Sequence, residues 1–353
     1  MNPCKHTQVT DTLHEYVGAL HIHSKFSDGL RPIPEIAGIA EKCGIDFLLF
    51  ADHMTLEPQK KGLEQWYGDT LAVIGYEHND SDNKNHYLAF DVDAVMPEDM
   101  PAVDYVREIH KQGGTGFIAH PDEKRSAITD YPPYPWTAWD AEGYDGIEIW
   151  NHSSEWMEKI NHLNKYYMVL HPLKMLQGPE PETLERWDRM NRTKAMPGIG
   201  GLDAHAYPYQ IGPITIYIFR YKVLFKGIRT HILVRDPLSE DVPKAKDAVL
   251  DALRSARCFI SNHRWGDARG FRFEADAGGR TQFMGDTVEG DNAEFIISTP
   301  GPGSITLLKD GKSLATAEGT SLKFRATEAG AYRVEVRRKD KPWIFSNHIR
   351  ISN

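Results

Sequence analysis

The sequence of 353 residues predicts an α/β protein: a (β/α) barrel over residues 1–264 and a small all-β, immunoglobulin-like sandwich over residues 265–353. Three observations predict it. Through most of the chain short apolar runs alternate with helical segments, the pattern of parallel strands joined by crossover helices. After Ser261 the helical patterns stop, and short alternating runs appear between Gly, Asp and Asn, as in an antiparallel sandwich. Most residues of metal-binding type stand at the carboxyl ends of the apolar runs, where a barrel carries its chemistry.

In order, Tyr16 to Leu20 reads as a strand running into His21. Pro34 to Cys43 reads as a helix, with Pro in its first turn and Gly44 at its stop. Asp46 to Phe50 is a strand ending at Asp52 and His53, Leu71 to Gly75 leads into Glu77, and His86 opens the run Tyr87 to Phe90. Val103 to Gln112 is helical, closed by Gly113 and Gly114. Gly116 to Ala119 leads to His120, and Asp145 to Trp150 leads to Asn151. Ser154 to Leu170 and Pro181 to Lys194 read as helices, and Met196 to Gly201 leads to Asp203 and His205. His86 stands at the start of its run, so it must reach the site from an adjoining loop or an antiparallel strand. Tyr207 to Val234 is aromatic and β-branched without clear periodicity, and Val242 to Arg257 is a helix. Phe271 to Glu274, Glu294 to Ser298, Ser304 to Lys309, Tyr332 to Arg337 and His348 to Ile351 read as sandwich strands.

An apolar fraction of 41% can build a substantial core. No stretch is long and apolar enough to cross a bilayer, and Met1 to Glu15 carries no signal-peptide apolar core. The three cysteines, Cys4, Cys43 and Cys258, form no disulfide framework or thiolate metal pattern. These features point to a reducing, cytoplasmic setting with no membrane partner. The net charge of −9 argues against a nucleic-acid groove, which needs a basic footprint. It does not argue against an anionic substrate, because bound cations reverse the local field.

The candidate metal ligands are His21, His23, Asp28, His53, Glu77, His86, His120, Asp203 and His205. His and carboxylate donors without thiolates suit Zn, Mn or Fe. On an extended strand His21 and His23 point the same way, because the side-chain period is two, and both can grip one ion. Glu77 has two carboxylate oxygens and can bridge two ions. Clustered ions polarise an ester and hold a bridging hydroxide at neutral pH. A lone His is more often a packed or surface side chain, and His6, His14, His110, His162, His171, His231 and His348 are read so. For the candidate set, the recurrence of one strand-terminal position outweighs that reading.

The motifs His21-x-His23 with Ser27-Asp28-Gly29, Ala51-Asp52-His53, Gly75-x-Glu77, Asn85-His86, Ala119-His120-Pro121 and Gly201-Leu202-Asp203-Ala204-His205 span residues 16–262. Together they resemble the PHP family, named for polymerase and histidinol phosphatase. The resemblance implies a distorted barrel of seven parallel strands, (β/α)7, holding two or three divalent ions. It would place His21, His23, Glu77 and Asp203 on one ion, and Glu77, His86 and His120 on a second, with Glu77 bridging. Asp28, His53 and His205 would hold a third, or act as acid, base or hydrogen-bond partners; the position of Asp28 is His in some three-metal relatives. Asp52 would orient a neighbouring His. Asp145-Gly146-Ile147-Glu148-Ile149-Trp150-Asn151, the helix end Ala252 to Arg257, and Ser346-Asn347-His348-Ile349 look closest to the CehA/McbA-like group. Some of its members cleave carbamate esters.

Lys124, Arg125, His263 and Arg264 are the candidate substrate-binding residues, with Lys25 a further basic neighbour. Cationic donors beside the metals would suit a phosphate. The loop Tyr131 to Trp136, with Trp139, is a lid, a wall for the substrate, or a packed rim. Asn151 either lines the pocket or serves a turn. Glu148 points away from the pocket if Ile147 and Ile149 face the core, although barrel strands can bury both faces, and it is left out of the ligand set; His78 and His152 are read as packing. The expected activity is hydrolysis of a small, anionic phosphate ester by a hydroxide bridging clustered ions. The alternative is hydrolysis of a non-phosphate ester, carbamate or amide at the same site. A DNA exonuclease and a non-catalytic binding module fit the sequence less well, and the oligomeric state is left open.

Overall fold

The computed structural model describes residues 13–125, 132–174, 176–211, 213–290 and 292–352; Cys4, His6 and Tyr131 lie outside them. Strand β1 (His14–Ile22) is followed by helix α1 (Ile33–Glu41), β2 (Phe47–His53), α2 (Glu57–Lys60), β3 (Gln65–Tyr67) and β4 (Thr70–His78). Then come β5 (Tyr87–Phe90), α3 (Ala102–Lys111), β6 (Thr115–Ile118) and β7 (Gly146–Asn151). Helices α4 (His152–Lys159), α5 (Lys165–Leu170) and α6 (Pro181–Asn191) precede β8 (Gly198–Gly201). The hairpin β9 (Pro208–Ile211) and β10 (Ile214–Tyr217), helix α7 (Tyr221–Leu224), β11 (Ile228–Val234), α8 (Val242–Arg254) and β12 (Cys258–Asn262) follow.

Strands β1, β2 and β4 pair in parallel, as do β6, β7 and β8. Between these groups β5 pairs antiparallel with both β4 and β6. This corrects the seven parallel strands that the resemblance implied. It also explains His86: the first residue of β5 lies opposite the last of β4, in the pair Tyr87–His78. A residue just before β5 therefore shares a rim with residues that end the parallel strands. The sheet curls until β8 meets β1, but no ladder closes it. The seam is the isolated bridge Ile22–Ala204, with backbone bonds from Leu202 N to Leu20 O (2.9 Å) and His23 N to Ala204 O (3.0 Å).

Two apolar layers follow from the strand period of two. Leu49 and Ala51, Leu71 and Val73, and Leu88 and Phe90 join Leu20, Phe117 and Ile199 in one interior cluster, into which α8 packs Val249, Leu250 and Leu253. The opposite strand faces, with Leu48, Ile74, Ile118, Ile147 and Ile149, pack in the layer under the outer helices. Helix α3 is typical of these: Ala102, Tyr105, Val106 and Ile109 fall on one helical stripe and are all buried. His53, Glu77 and His86 continue the interior rows, so the candidate ligands stand above the interior cluster of the curled sheet.

Some expected elements differ. The helix expected from Ser154 to Leu170 breaks after Lys159. There Asn161 Oδ1 accepts from Leu163 N (2.9 Å) and Asn164 Oδ1 from Asn161 N (2.7 Å), local turns that compete with helical bonding. The helix expected to reach Arg257 stops at Arg254, and the short run after it is strand β12.

The C-terminal strands are β13 (Arg272–Ala277), β14 (Arg280–Phe283), β15 (Thr287–Glu289), β16 (Ala293–Lys309), β17 (Lys312–Ala326), β18 (Gly330–Arg338), β19 (Lys341–Ser346) and β20 (Ile349–Ser352). They bury their own cluster, including Phe273, Phe295, Ile305, Val334, Val336 and Trp343. They are not a detached unit, because β19 pairs antiparallel with β12 and makes the sheet continuous. Asn347 Nδ2 donates to the carbonyls of Gly198 and Cys258 (both 2.9 Å), and Trp150 packs edge-on against Phe345. Among the described residues no helix is long and apolar enough to cross a membrane.

Candidate metal centre

The backbone departs from regular strand where the ligands begin. The β1–β2 register shifts between Leu20 and Ile22, and His21 between them has φ 60°. His21 lies at this bulge, and its ring stands beside that of His23, with centroids 5.1 Å apart. His120 (φ 27°) and Asp203 (φ 52°) also adopt left-handed conformations. Such residues cost about 1–3 kcal/mol each and persist where the surroundings over-determine them.

Glu77 is the hub. Its Oε2 lies 3.1 Å from His21 Nε2, 3.3 Å from His23 Nε2 and 3.3 Å from His53 Nδ1. Its Oε1 lies 2.7 Å from His86 Nδ1 and 3.3 Å from His120 Nε2. Asp203 Oδ1 lies 3.6 Å from His21 Nε2, 3.4 Å from His23 Nε2 and 3.4 Å from His205 Nδ1. Asp28 Oδ1 lies 3.1 Å from His205 Nε2, 3.8 Å from His23 Nδ1 and 3.9 Å from His53 Nε2. The structure thus brings all the candidate ligands into one cage.

Three sets of donor atoms lie within 4.8 Å of one another: His23, Asp28, His53 and His205; His21, Glu77 and His120; and His21, His23 and Asp203. His86 joins the cage through Glu77 but stands outside these sets, with its Nε2 3.2 Å from Asn83 Oδ1. Most of the cage is closed to solvent; it opens where the Asp28 side chain is 49% exposed and that of His53 29%.

The donor chemistry fits divalent cations. His21 Nε2, both nitrogens of His23, His53 Nδ1, His120 Nδ1 and His205 Nε2 are buried with no hydrogen-bond partner. Leaving such groups unsatisfied costs free energy that a shared cation would remove. Burial works against charge on Glu77 and Asp203, yet the surrounding imidazoles, His21 foremost, hold both carboxyls well below their ordinary range. Burial, with His205 and His53 beside it, pushes His23 down to about 3. Burial opposes charge on His21, His120 and His205 as well, but the carboxylates beside them push all three up, His120 to about 9. Metal ligation requires ionised carboxylate and neutral imidazole, so a bound cation would have to displace those protons.

Glu148 faces the cage from behind the candidate ligands, the outcome that burial of both strand faces allows. Its Oε1 lies 3.1 Å from His21 Nδ1, and its Oε2 accepts from His120 N (2.9 Å) and Asn151 Nδ2 (2.9 Å). Ile147 and Ile149 do face a core, but it is the layer under the helices, so Glu148 faces the cage. Asn151 serves both roles weighed for it: it holds Glu148, and its Oδ1 caps α4 by accepting from Ser154 N. Among the described residues Asp52 bonds no His; it accepts from Ser24 N, Ser24 Oγ and Ser27 Oγ (2.7 Å each) and so shapes the loop that carries Asp28. His78 packs on Tyr105 and His152 on Phe219.

The candidate substrate-binding residues divide. The Arg125 side chain is only 9% exposed, bonds Glu123, and lies over the Tyr134 ring, which itself stacks on His86. Burial opposes its charge, but Glu123 and Asp203 hold it cationic. Lys124 instead pairs with Glu182 on α6 and is 56% exposed. His263 and Arg264 occupy a 3-10 turn, His263–Trp265, where Arg264 lies over Trp265 and burial beside Arg229 pushes His263 down to about 4. No contact among the described residues ties Lys124, His263 or Arg264 to the cage. Of the aromatic loop's described residues, Trp136 is buried in the rim and the Tyr134 ring stacks on His86. Glu123, missed in the sequence, accepts from Ser154, Arg125 and Tyr134 N and so fixes this corner.

No protein-family model matches the chain, and no curated protein matches it. Among solved structures it is similar to a two-domain protein from Bacteroides vulgatus containing a predicted PHP-like metal-dependent phosphoesterase, at 15% identity and TM-score 0.47, over 95% of each chain. A candidate metal-dependent phosphoesterase from Bifidobacterium adolescentis is 16% identical at TM-score 0.32, over 58% of this chain and 93% of that one. An amidohydrolase from Chromobacterium violaceum, with bound sulfate and no metal, is 15% identical at TM-score 0.32, over 53% of this chain and 87% of that one.

Proposed function

We propose that the protein is a PHP-type, metal-dependent hydrolase of a small phosphate ester, working with two or three divalent ions of zinc, manganese or iron. The observation that carries this reading is the single cage of buried imidazoles and carboxylates with unpartnered ring nitrogens. His21, His23, Glu77 and Asp203 would hold one ion, Glu77, His86 and His120 a second, and Asp28, His53 and His205 a third. Divalent ions there would supply Lewis-acid polarisation of the ester and of water.

The chain's own residues would do the rest. Arg125, held by Glu123 and Tyr134, neutralises the anionic oxygens of the ester. Glu148 fixes the tautomer and angle of His21. With only two ions bound, Asp28, His53 and His205 at the open side would instead serve as acid, base or hydrogen-bond partners, the Asp28–His205 pair passing a proton to the departing alcohol. Burial of the remaining cage excludes bulk water.

Elemental analysis of protein purified without added metal, followed by a panel of phosphate monoesters, diesters, aryl carbamates and amides, tests this. Phosphate release is expected, and Arg125→Ala is expected to raise KM about tenfold with a smaller change in kcat. Turnover confined to the carbon-centred esters would favour the alternative reaction at the same cage. A metal-free protein with full activity would remove both.

A further inference from the structure

A chain of net charge −9 gathers cations around one cleft. A cavity of about 480 Å³ lies between α1, α7 and the end of β10, within the range of roughly 300–1,000 Å³ that small ligands occupy. Arg31, Arg220, Lys222 and Lys226 stand around it, over an apolar floor of Leu30, Ile39 and Val223. Among the described residues no carboxylate lines it, although Arg31 pairs with Glu35. Among the described residues the side chains of Arg220, Lys222 and Lys226 make no ion pair or hydrogen bond, and Tyr217 presents a half-exposed ring at the mouth.

This cleft is separate from the metal cage but shares a wall with it. Ala206, which lines it, follows His205. Leu30 N donates to His205 O (2.9 Å), and the Tyr221 hydroxyl donates to the carbonyls of His23 (2.8 Å) and His205 (3.2 Å). A line of backbone thus divides two sites of different chemistry, one built from metal donors and one from cations above an apolar floor.

We propose that the cleft binds a small amphipathic organic anion, its apolar ring or chain on Ile39 and Val223 and its phosphate, sulfonate or carboxylate between Arg220, Lys222 and Lys226. The proposal needs neither the metals nor the hydrolase reading. It is tested by titrating naphthalene-1-sulfonate into the full-length protein by calorimetry, with 1-naphthalenemethanol as the uncharged control. One site is expected, weakening as ionic strength rises. The exposed triple variant Arg220→Ser, Lys222→Ser, Lys226→Ser should weaken it about tenfold or more, since each exposed charge contributes only modestly. Arg125→Ala, beside the cage, should leave it unchanged. Equal affinity for the alcohol, equal affinity in the triple variant, loss in Arg125→Ala, or no binding to the intact protein would each overturn the proposal.

Discussion

Glu148 holds the cage from behind. Its carboxylate meets His21, the backbone of His120 and the Asn151 amide at once, so one side chain orients two candidate ligands from different strands. Space for it depends on Gly201, where a Cβ would come within 1.8 Å of Glu148 Oε1. Glu148→Gln keeps the shape and removes the charge. It is expected to lower metal affinity or activity about 10–100-fold, as loss of a partner behind a ligand does. Metal content by elemental analysis and kcat/KM on the active ester measure it. Lys124→Ala, whose partner Glu182 lies on α6, should change kcat/KM by no more than about twofold. Equal losses in the two variants would contradict the placement of both.

At the scale of elements, α6 is fastened to the C-terminal strands through Asp188. Arg333 on β18 donates to it from Nε (2.6 Å) and Nη2 (2.9 Å), His348 Nε2 lies 2.8 Å away, and Glu335 also takes Arg333. Burial would raise the Asp188 pKa, but His348 and Arg333 hold it down to about 2. The unfolded value is about 3.9. The contribution is therefore complete above the unfolded value and is lost as pH falls through about 2; it amounts to about 2.5 kcal/mol. Burial keeps His348 below its ordinary range, so it too favours unfolding on acidification. In urea unfolding, the stability gap between the native chain and Asp188→Asn should shrink by about that amount between about pH 5 and pH 2. A gap that stays constant would show that Asp188 is not held as an ion.

For the whole molecule, the β12–β19 pairing makes the two apolar cores mutually dependent. Phe259, Ile260 and Ser261 pair with Ser346, Phe345 and Ile344, and Asn347 satisfies the carbonyls of Gly198 and Cys258. Cutting the chain at the proposed boundary, after residue 264, would strip the β12 edge and uncover Trp150. An exposed apolar edge of this kind pairs with other chains. The fragment 1–264 is expected to aggregate or to melt well below the full protein, read by size-exclusion chromatography and circular dichroism. A monomeric fragment with an unchanged Tm would show that the C-terminal strands are an independent unit.

The order of strands and helices and the set of candidate ligands were legible in the sequence, because apolar periodicity and the residue before or after each run are local properties. His86 was recognisable as an exception for the same reason. What lay beyond local pattern was direction and depth. The reversal of β5, the bulge at His21 and the pairing of β19 with β12 depend on partners distant in the chain. Glu148 could not be placed from alternation alone, because a curled sheet buries both of its faces and the pattern does not say which one meets the candidate ligands. Arg125 and Lys124 are neighbours of like charge; only the folded positions of Glu123 and Glu182 turned one toward the cage and drew the other to the surface.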